Sequence, residues 1–233
     1  MRIAVFGANG GTGRLLVADA LEAGHELTAL TRHPDDFPIS HARLTVVAGD
    51  VLDPSAVIGV VGGQDAVLSA LGVPFGRKEI TVYSRGITAI IDAMRAAGVR
   101  RLACVSSSAT DPAFAHEDTG GGFFFERVLK PLIEKTLGKT MYADMLRMEK
   151  LVRSSDLDWT IVRPSGLFGT DAVTDYAVAE DFLPERFTSR ADLADFLLRQ
   201  ATETEYIRKA AAVATTAFQP SVMQLIRQEA LSK

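Results

Sequence analysis

Cysteine is all but missing from this 233-residue chain: Cys104 stands alone, so no internal disulfide can form. It sits in the apolar run Leu102–Val105, where a thiol is expected to be a buried core group. Histidine is scarce too. His25, His33, His41 and His116 are scattered and show no metal-ligand spacing, so no metal site is expected. Charge of one sign is absent: 25 Lys and Arg face 29 Asp and Glu, for a net charge of −4 and no basic block. Such a domain makes a poor nucleic-acid or anionic-membrane binder, and neither partner is expected. Long hydrophobic runs are also lacking. The longest apolar stretch, residues 56 to 73, is broken by Gly59, Gly62, Gly63, Gln64 and Asp65, so it is not a membrane span. The run Ile3–Phe6 ends at Gly7, too early for a signal h-region, and a cytoplasmic location is the expectation. What remains is ordinary globular composition, 47% apolar and 23% charged, which rules out disorder of the whole chain. At ~150 residues per domain the length allows one to two domains and one sizeable core.

Strand and helix signals alternate along the chain. Ile3–Phe6 reads as a strand covered on both faces. Residues 11 to 23 follow as a helix with Gly13, Val17, Ala20 and Leu21 on one stripe, stopped by Gly24. Strands are predicted at Leu27–Thr31, Leu44–Val47, Asp65–Ser69, Leu102–Val105 and Thr160–Val162. Helices are predicted over Pro54–Val61 and over residues 80 to 97, where Ile87, Ile90, Ile91 and Met94 share a face before Gly98. This order predicts an α/β fold, a doubly wound parallel sheet whose ligand site lies off the carboxyl ends of the strands. Residues 1 to 233 are read as a single domain. Within it, 107 to 141 form a long insertion and 165 to 233 a small, partial substrate lobe. In the lobe Ser189-Arg190-Ala191-Asp192 is a capping box that opens a helix.

The first strand runs straight into Gly7-Ala8-Asn9-Gly10-Gly11-Thr12-Gly13 and then a helix. A tight turn and a closely approaching diphosphate both need positions without a β-carbon, and the helix N-terminus offers free amides and the positive end of its dipole. A glycine pattern alone is weak, but its place at the strand-to-helix junction of a βαβ unit is the context that gives it meaning. Gly13 lets helix and strand pack closely. After the second strand, where an NAD site shows Asp or Glu for the ribose hydroxyls, this chain has Arg32. A guanidinium pairs with a 2′-phosphate, which favours NADP(H) over NAD(H). Asp50 and Val51 follow the third strand, while Asp53 suits the cap of the Pro54 helix.

GANGGTG at 7 to 13, GDVLD at 49 to 53, GQDAVLSALG at 63 to 72, SRGITAIIDAMRAAGV at 84 to 99, LACVSSSAT at 102 to 110 and LDWTIVRPSGLFG at 157 to 169 together resemble the atypical short-chain dehydrogenase/reductase group of NAD(P)-binding Rossmann proteins. The resemblance spans roughly residues 1 to 215 and is nearest to the NADPH-dependent flavin reductase/biliverdin-IXβ reductase type and the NmrA-like type. It implies that Gly10 and Thr12 meet the phosphates, Arg32 the adenosine end, and Asp50 and Val51 the adenine. Leu71 and Gly72 would pass along the ribose, Ser106 to Ser108 approach the nicotinamide, and Pro164, Gly166 and Leu167 line its carboxamide side.

The proton-relay pair of typical family dehydrogenases, Tyr-x-x-x-Lys, is missing. Tyr142 is followed four residues on by Leu146, and alignment on Glu149 puts Met141 and Met145 at the two positions. Met141, Met145, Met148 and Val152 form one helical face, read either as core or as a pliable wall beside the nicotinamide, which Phe123 to Phe125 would extend. Ser106 and Ser108 remain as the catalytic candidates, with His116 and Tyr176 as weaker proton donors. Two functions fit. One is an NADPH-dependent oxidoreductase that transfers hydride from the nicotinamide to a flat conjugated small-molecule acceptor of flavin, quinone or bilin type. The other is a non-catalytic NADP(H)-binding redox sensor of the NmrA-like kind, with a protein partner.

Overall fold

The computed structural model describes residues 1–74, 78–115, 139–218 and 220. The chain begins with β1 (Arg2–Phe6), α1 (Gly11–Glu22), β2 (Glu26–Thr31), β3 (Leu44–Ala48), α2 (Pro54–Val61), β4 (Ala66–Ser69), α3 (Val82–Ala97) and β5 (Arg101–Val105). It continues with α4 (Lys139–Arg153), β6 (Asp158–Pro164), β7 (Gly166–Phe168), β8 (Tyr176–Glu180), β9 (Phe187–Ser189), α5 (Arg190–Arg199) and β10 (Lys209–Thr215). Eight strands form one sheet in the order β3-β2-β1-β4-β5-β6-β10-β8, and β7 pairs with β9 apart from it. Every neighbouring pair in the large sheet is parallel except β10 with β8. This is the expected α/β doubly wound sheet, a Rossmann-like fold.

The strand period of two sorts the core into two layers. Ile3 and Val5 face α1 and α5, together with Leu16, Val17, Leu193 and Phe196. Ala4 and Phe6 face the other way, against α2, α3 and α4, with Val57, Ile87, Ile90, Met94 and Met148. Residues Ile3–Phe6 are fully buried, because β1 lies between β2 and β4 with helices on both sides. Cys104 is buried in β5, and burial pushes its thiol far up from the ordinary range.

The local signals work as the sequence predicts. Asp53 accepts the Ser55 amide at 2.9 Å at the start of α2. Ser189 accepts the Asp192 amide at 2.9 Å, the first half of the capping box. The reciprocal half differs: Asp192 turns inward to the Thr174 amide and the Thr174 and Thr215 hydroxyls, while the Thr215 oxygen takes the Ser189 amide at 2.8 Å. The threonine hydroxyl thus relays what the carboxylate would otherwise do directly. The start of α3 has no cap from its own chain neighbourhood. Asp144 of α4, fully buried, takes the Tyr83 and Ser84 amides at 2.9 and 3.2 Å and the Ser84 hydroxyl at 2.5 Å. Among the described residues no helix is long and apolar enough to cross a membrane.

The segment after residue 165 gives more sheet than the sequence predicts. β10 and β8 extend the main sheet past β6, and β6 itself runs from Asp158 to Pro164. Most of the predicted insertion, residues 116 to 138, lies outside the described residues.

Candidate functional site

Because β1 to β6 are parallel, their carboxyl ends open at one edge of the sheet, and the loops that leave them share that edge. At its centre Gly7 leaves β1 with φ +76°. A β-carbon there would lie 2.4 Å from the Ala70 carbonyl oxygen, so the loop passes directly over the end of β4. The Gly10 amide donates to the Gly7 carbonyl at 3.1 Å, closing the turn. A β-carbon on Gly13 would lie 2.1 Å from that same Gly7 oxygen, which shows how closely α1 packs onto the turn. Gly10 caps α1 with extended backbone, no side chain caps the helix, and its first turn has no acidic residue. The exposed backbone of Gly10 and Gly11 is therefore free to meet an anion. Asn9 is held by Arg14, whose Nε and Nη2 donate to its Oδ1 at 3.0 and 2.8 Å.

On one side of this loop Arg32 is exposed at the end of β2. Asp50 accepts the Leu52 amide at 2.9 Å, and Val51, buried, lies with Leu71 over Gly86 of α3. The hydrophobic floor at Val51 and the loop after β4 are thus one surface. Gly72 is exposed in that loop, and Tyr83 anchors it by accepting the Val73 amide at 3.2 Å.

On the other side, past β5, lies a buried charged network. Arg163, near the end of β6, is 4% exposed and faces the carboxylates of Glu149 and Asp111, with Asp181 farther off at 3.8 Å. Its Nη2 and Nε donate to Glu149 at 2.7 and 3.1 Å, and its Nη1 donates to Asp111. Glu149 Oε1 also accepts the Ser106 hydroxyl at 2.8 Å and the Thr110 hydroxyl at 2.6 Å. Burial alone would raise the Glu149 carboxyl, but hydrogen bonds and the charge of Arg163, with the two hydroxyls, hold it below its ordinary value. Burial likewise works against the Arg163 charge, and the Glu149 and Asp111 carboxylates more than offset it. The serines after β5 therefore differ. Ser106 and Ser108 are each 3% exposed, and the Ser106 proton is committed to Glu149. Ser107 is half-buried, its Oγ accepts the Ala109 amide at 3.2 Å, and among the described residues no acceptor takes its own proton.

This arrangement, a glycine turn at the crossing of a parallel sheet, is one that sequence comparison identifies. The NAD(P)H-binding protein family matches residues 7–204. The chain belongs to that family. The UPF0659 protein C216.03 of Schizosaccharomyces pombe is 31% identical over 179 residues, 70% of this chain and 69% of that one. Among solved structures, an anaerobilin reductase of Escherichia coli O157:H7 is 20% identical with a TM-score of 0.76, covering 95% of this chain and 100% of the other. A wide-type short-chain dehydrogenase/reductase of Veillonella parvula in complex with NADP is 19% identical with a TM-score of 0.73, covering 93% and 99%. These structural likenesses show a shared Rossmann-like fold.

The residues present fit an NAD(P)H dinucleotide. The turn admits no β-carbon at Gly7 or Gly13, and the exposed Gly10 and Gly11, with Thr12 buried behind them, are where the diphosphate would be held. Arg32 after β2 and Asp50 and Val51 after β3 lie on one side of the turn, where the adenosine would sit, with Leu71 and Gly72 after β4. Pro164 closes β6, and Gly166 and Leu167 follow in β7, where the Gly166 amide donates to the Arg186 carbonyl at 2.9 Å. Met141 and Met145 are each 6% exposed in the core layer with Tyr83 and Met148. Phe123 and His116 lie outside the described residues. Tyr176 donates its hydroxyl to Asp195, on the α5 layer.

Sequence reasoning missed Glu149, Arg163, Asp111 and Asp144. A signal existed for two of them: Asp144 and Glu149 fall on the same helical stripe as Met141, Met145, Met148 and Val152, and an acid on a buried face demands a partner.

Proposed function

We propose that the protein is an NADPH-dependent reductase of a flat, conjugated acceptor of flavin, quinone or bilin type. The observation that carries this reading is the strand end opposite the glycine turn. Methionines stand where a tyrosine and a lysine would relay a proton, and among the described residues no acceptor takes the proton of the Ser107 hydroxyl, which is more open than that of buried Ser108. An acceptor that delocalises charge over a conjugated system needs no strong acid from the protein; a carbonyl or alcohol does. The fold likeness to an anaerobilin reductase supports a bilin among the acceptors.

Reduced nicotinamide, when bound, supplies the hydride. The chain's own residues do the rest. The Gly10–Thr12 backbone holds the diphosphate. Arg32 pairs with a 2′-phosphate and so favours NADPH over NADH. Glu149 accepts the Ser106 hydroxyl hydrogen bond, which leaves the Ser106 oxygen to serve as an acceptor for a carboxamide N–H. Ser107 donates to the charge that develops on the acceptor. The buried Arg163 keeps Glu149 ionised and fixed in this role.

The test is oxidation of NADPH followed at the reduced nicotinamide's absorbance, with flavins, quinones and bilins as acceptors and NADH in parallel. Turnover with NADPH preferred is the expected result. In Arg32→Ala the preference for NADPH is expected to fall about tenfold, the worth of one charge-assisted phosphate contact. Saturable NADPH binding without turnover across the panel would reject the reductase and leave the redox sensor, whose signature is partner binding that differs between NADP⁺ and NADPH.

A further inference from the structure

Arg190 is the first residue of α5, and its side chain reaches the glycine turn. A β-carbon on Gly11 would lie 3.0 Å from both Cδ and Nε of Arg190, so the arginine lies against the exposed backbone of Gly11. The side chain is half-buried, and among the described residues no carboxylate or carbonyl takes its guanidinium. The neighbouring charges make this unusual. α1 has no acidic residue in its first turn. α5 has Asp192 there, but that carboxylate is fully buried and engaged with Thr174 and Thr215. A cation at the meeting point of two helix N-termini, the positive ends of both dipoles, is disfavoured until an anion joins it.

We propose that Arg190 is a cofactor-positioning residue that binds the diphosphate of NAD(P)H beside Gly11. The inference rests on the cofactor site described above. Arg190 and Arg32 then have different duties. Arg32 follows β2 at the adenosine end and distinguishes the 2′-phosphate. Arg190 lies against α1 and serves the diphosphate that NADPH and NADH share. The planar fork of a guanidinium suits two phosphate oxygens at once, which a lysine ammonium does not reproduce.

The experiment titrates the wild-type protein, Arg190→Gln and Arg190→Lys with NADPH and with NADH, alongside ligand-free melting curves. In Arg190→Gln the Kd is expected to rise about tenfold or more for both nucleotides by a similar factor, with Arg190→Lys between it and wild type. The ligand-free melting temperature is expected to stay level or rise, since the substitution removes a cation from two positive helix ends. An unchanged Kd overturns the proposal. So does a loss confined to NADPH, which would make Arg190 a 2′-phosphate reader, or a loss that comes with a lowered ligand-free melting temperature, which would make it a structural residue. If wild type binds neither nucleotide, the cofactor site itself is refuted, a result distinct from the failure of Arg190 alone.

Discussion

Glu149→Ala is expected to lower the stability of the folded protein by about 3–5 kcal/mol, the effect of leaving a buried cation without its partner. Arg163 is 4% exposed and makes two hydrogen bonds to Glu149, so alanine strands the guanidinium in the core with only Asp111 and the more distant, exposed Asp181 (3.8 Å) as carboxylates among the described residues. Ser106 and Thr110 lose their acceptor in the same step. Glu149→Gln keeps an acceptor for one hydroxyl and is expected to be destabilised less. The pH dependence has a definite sign. The Glu149 pKa in the folded state lies below its unfolded value, so its contribution is complete above the unfolded value, about 4.3. That contribution is lost as pH falls through the lower folded value. Urea unfolding midpoints at pH 7 and at low pH measure both effects. The gap between wild type and Glu149→Gln is expected to close on acidification. A gap that stays constant with pH would show that the carboxylate charge is not what stabilises the network.

Gly13→Ala is expected to abolish measurable NADPH binding, a loss of about 100-fold or more in affinity. The added carbon would fall 2.1 Å from the Gly7 oxygen and 2.8 Å from the Ala8 α-carbon, and both are backbone atoms without a rotamer to yield. Turn and helix must separate, and the amides of Gly10, Gly11 and Thr12 lose their common aim. Overpacking of this kind lowers stability by about 1–3 kcal/mol as well. Gly59→Ala is the matched control. Gly59 lies within α2, and a β-carbon there meets nothing within 4 Å. That substitution is expected to leave binding unchanged and to stabilise the helix by about 1 kcal/mol. Isothermal titration with NADPH and thermal melting of the two variants separate the local clash from a general effect of replacing glycine.

The first half of the chain is legible because its signals are local. An apolar strand, a glycine turn and an amphipathic helix each declare themselves within a dozen residues, and β1 through β5 appear where periodicity places them, within a residue or so at their ends. The later strands lack such signals. β10 contains Ala210-Ala211-Ala212-Val213-Ala214, a composition that favours helix, and only pairing with β6 and β8 makes it a strand. β7 and β9 have three residues each, too few to show a period. At the site, the glycine turn is readable for the same reason as β1, but the roles of the serines are not. Strand alternation ends at Val105, and a short 3-10 turn over Ser108–Thr110 decides which hydroxyl is buried. Arg163 and Glu149 are fourteen positions apart on a strand and a helix, so their meeting is a property of the α/β layers.

The cap that Asp144 places on α3 gives the exchange of two amide hydrogens a particular meaning. Amides in the first turn of a helix have no carbonyl behind them and ordinarily exchange with solvent quickly. Those of Tyr83 and Ser84 instead donate to a carboxylate that belongs to α4. Their exchange with deuterium is expected to follow the undocking of α4, not the fraying of α3, and to be slow in the native protein. Asp144→Asn is expected to quicken exchange at these two sites ahead of the centre of α3. Since the loop after β4 hangs from the Tyr83 hydroxyl, the same two hydrogens become clocks for how often that side of the cleft comes loose.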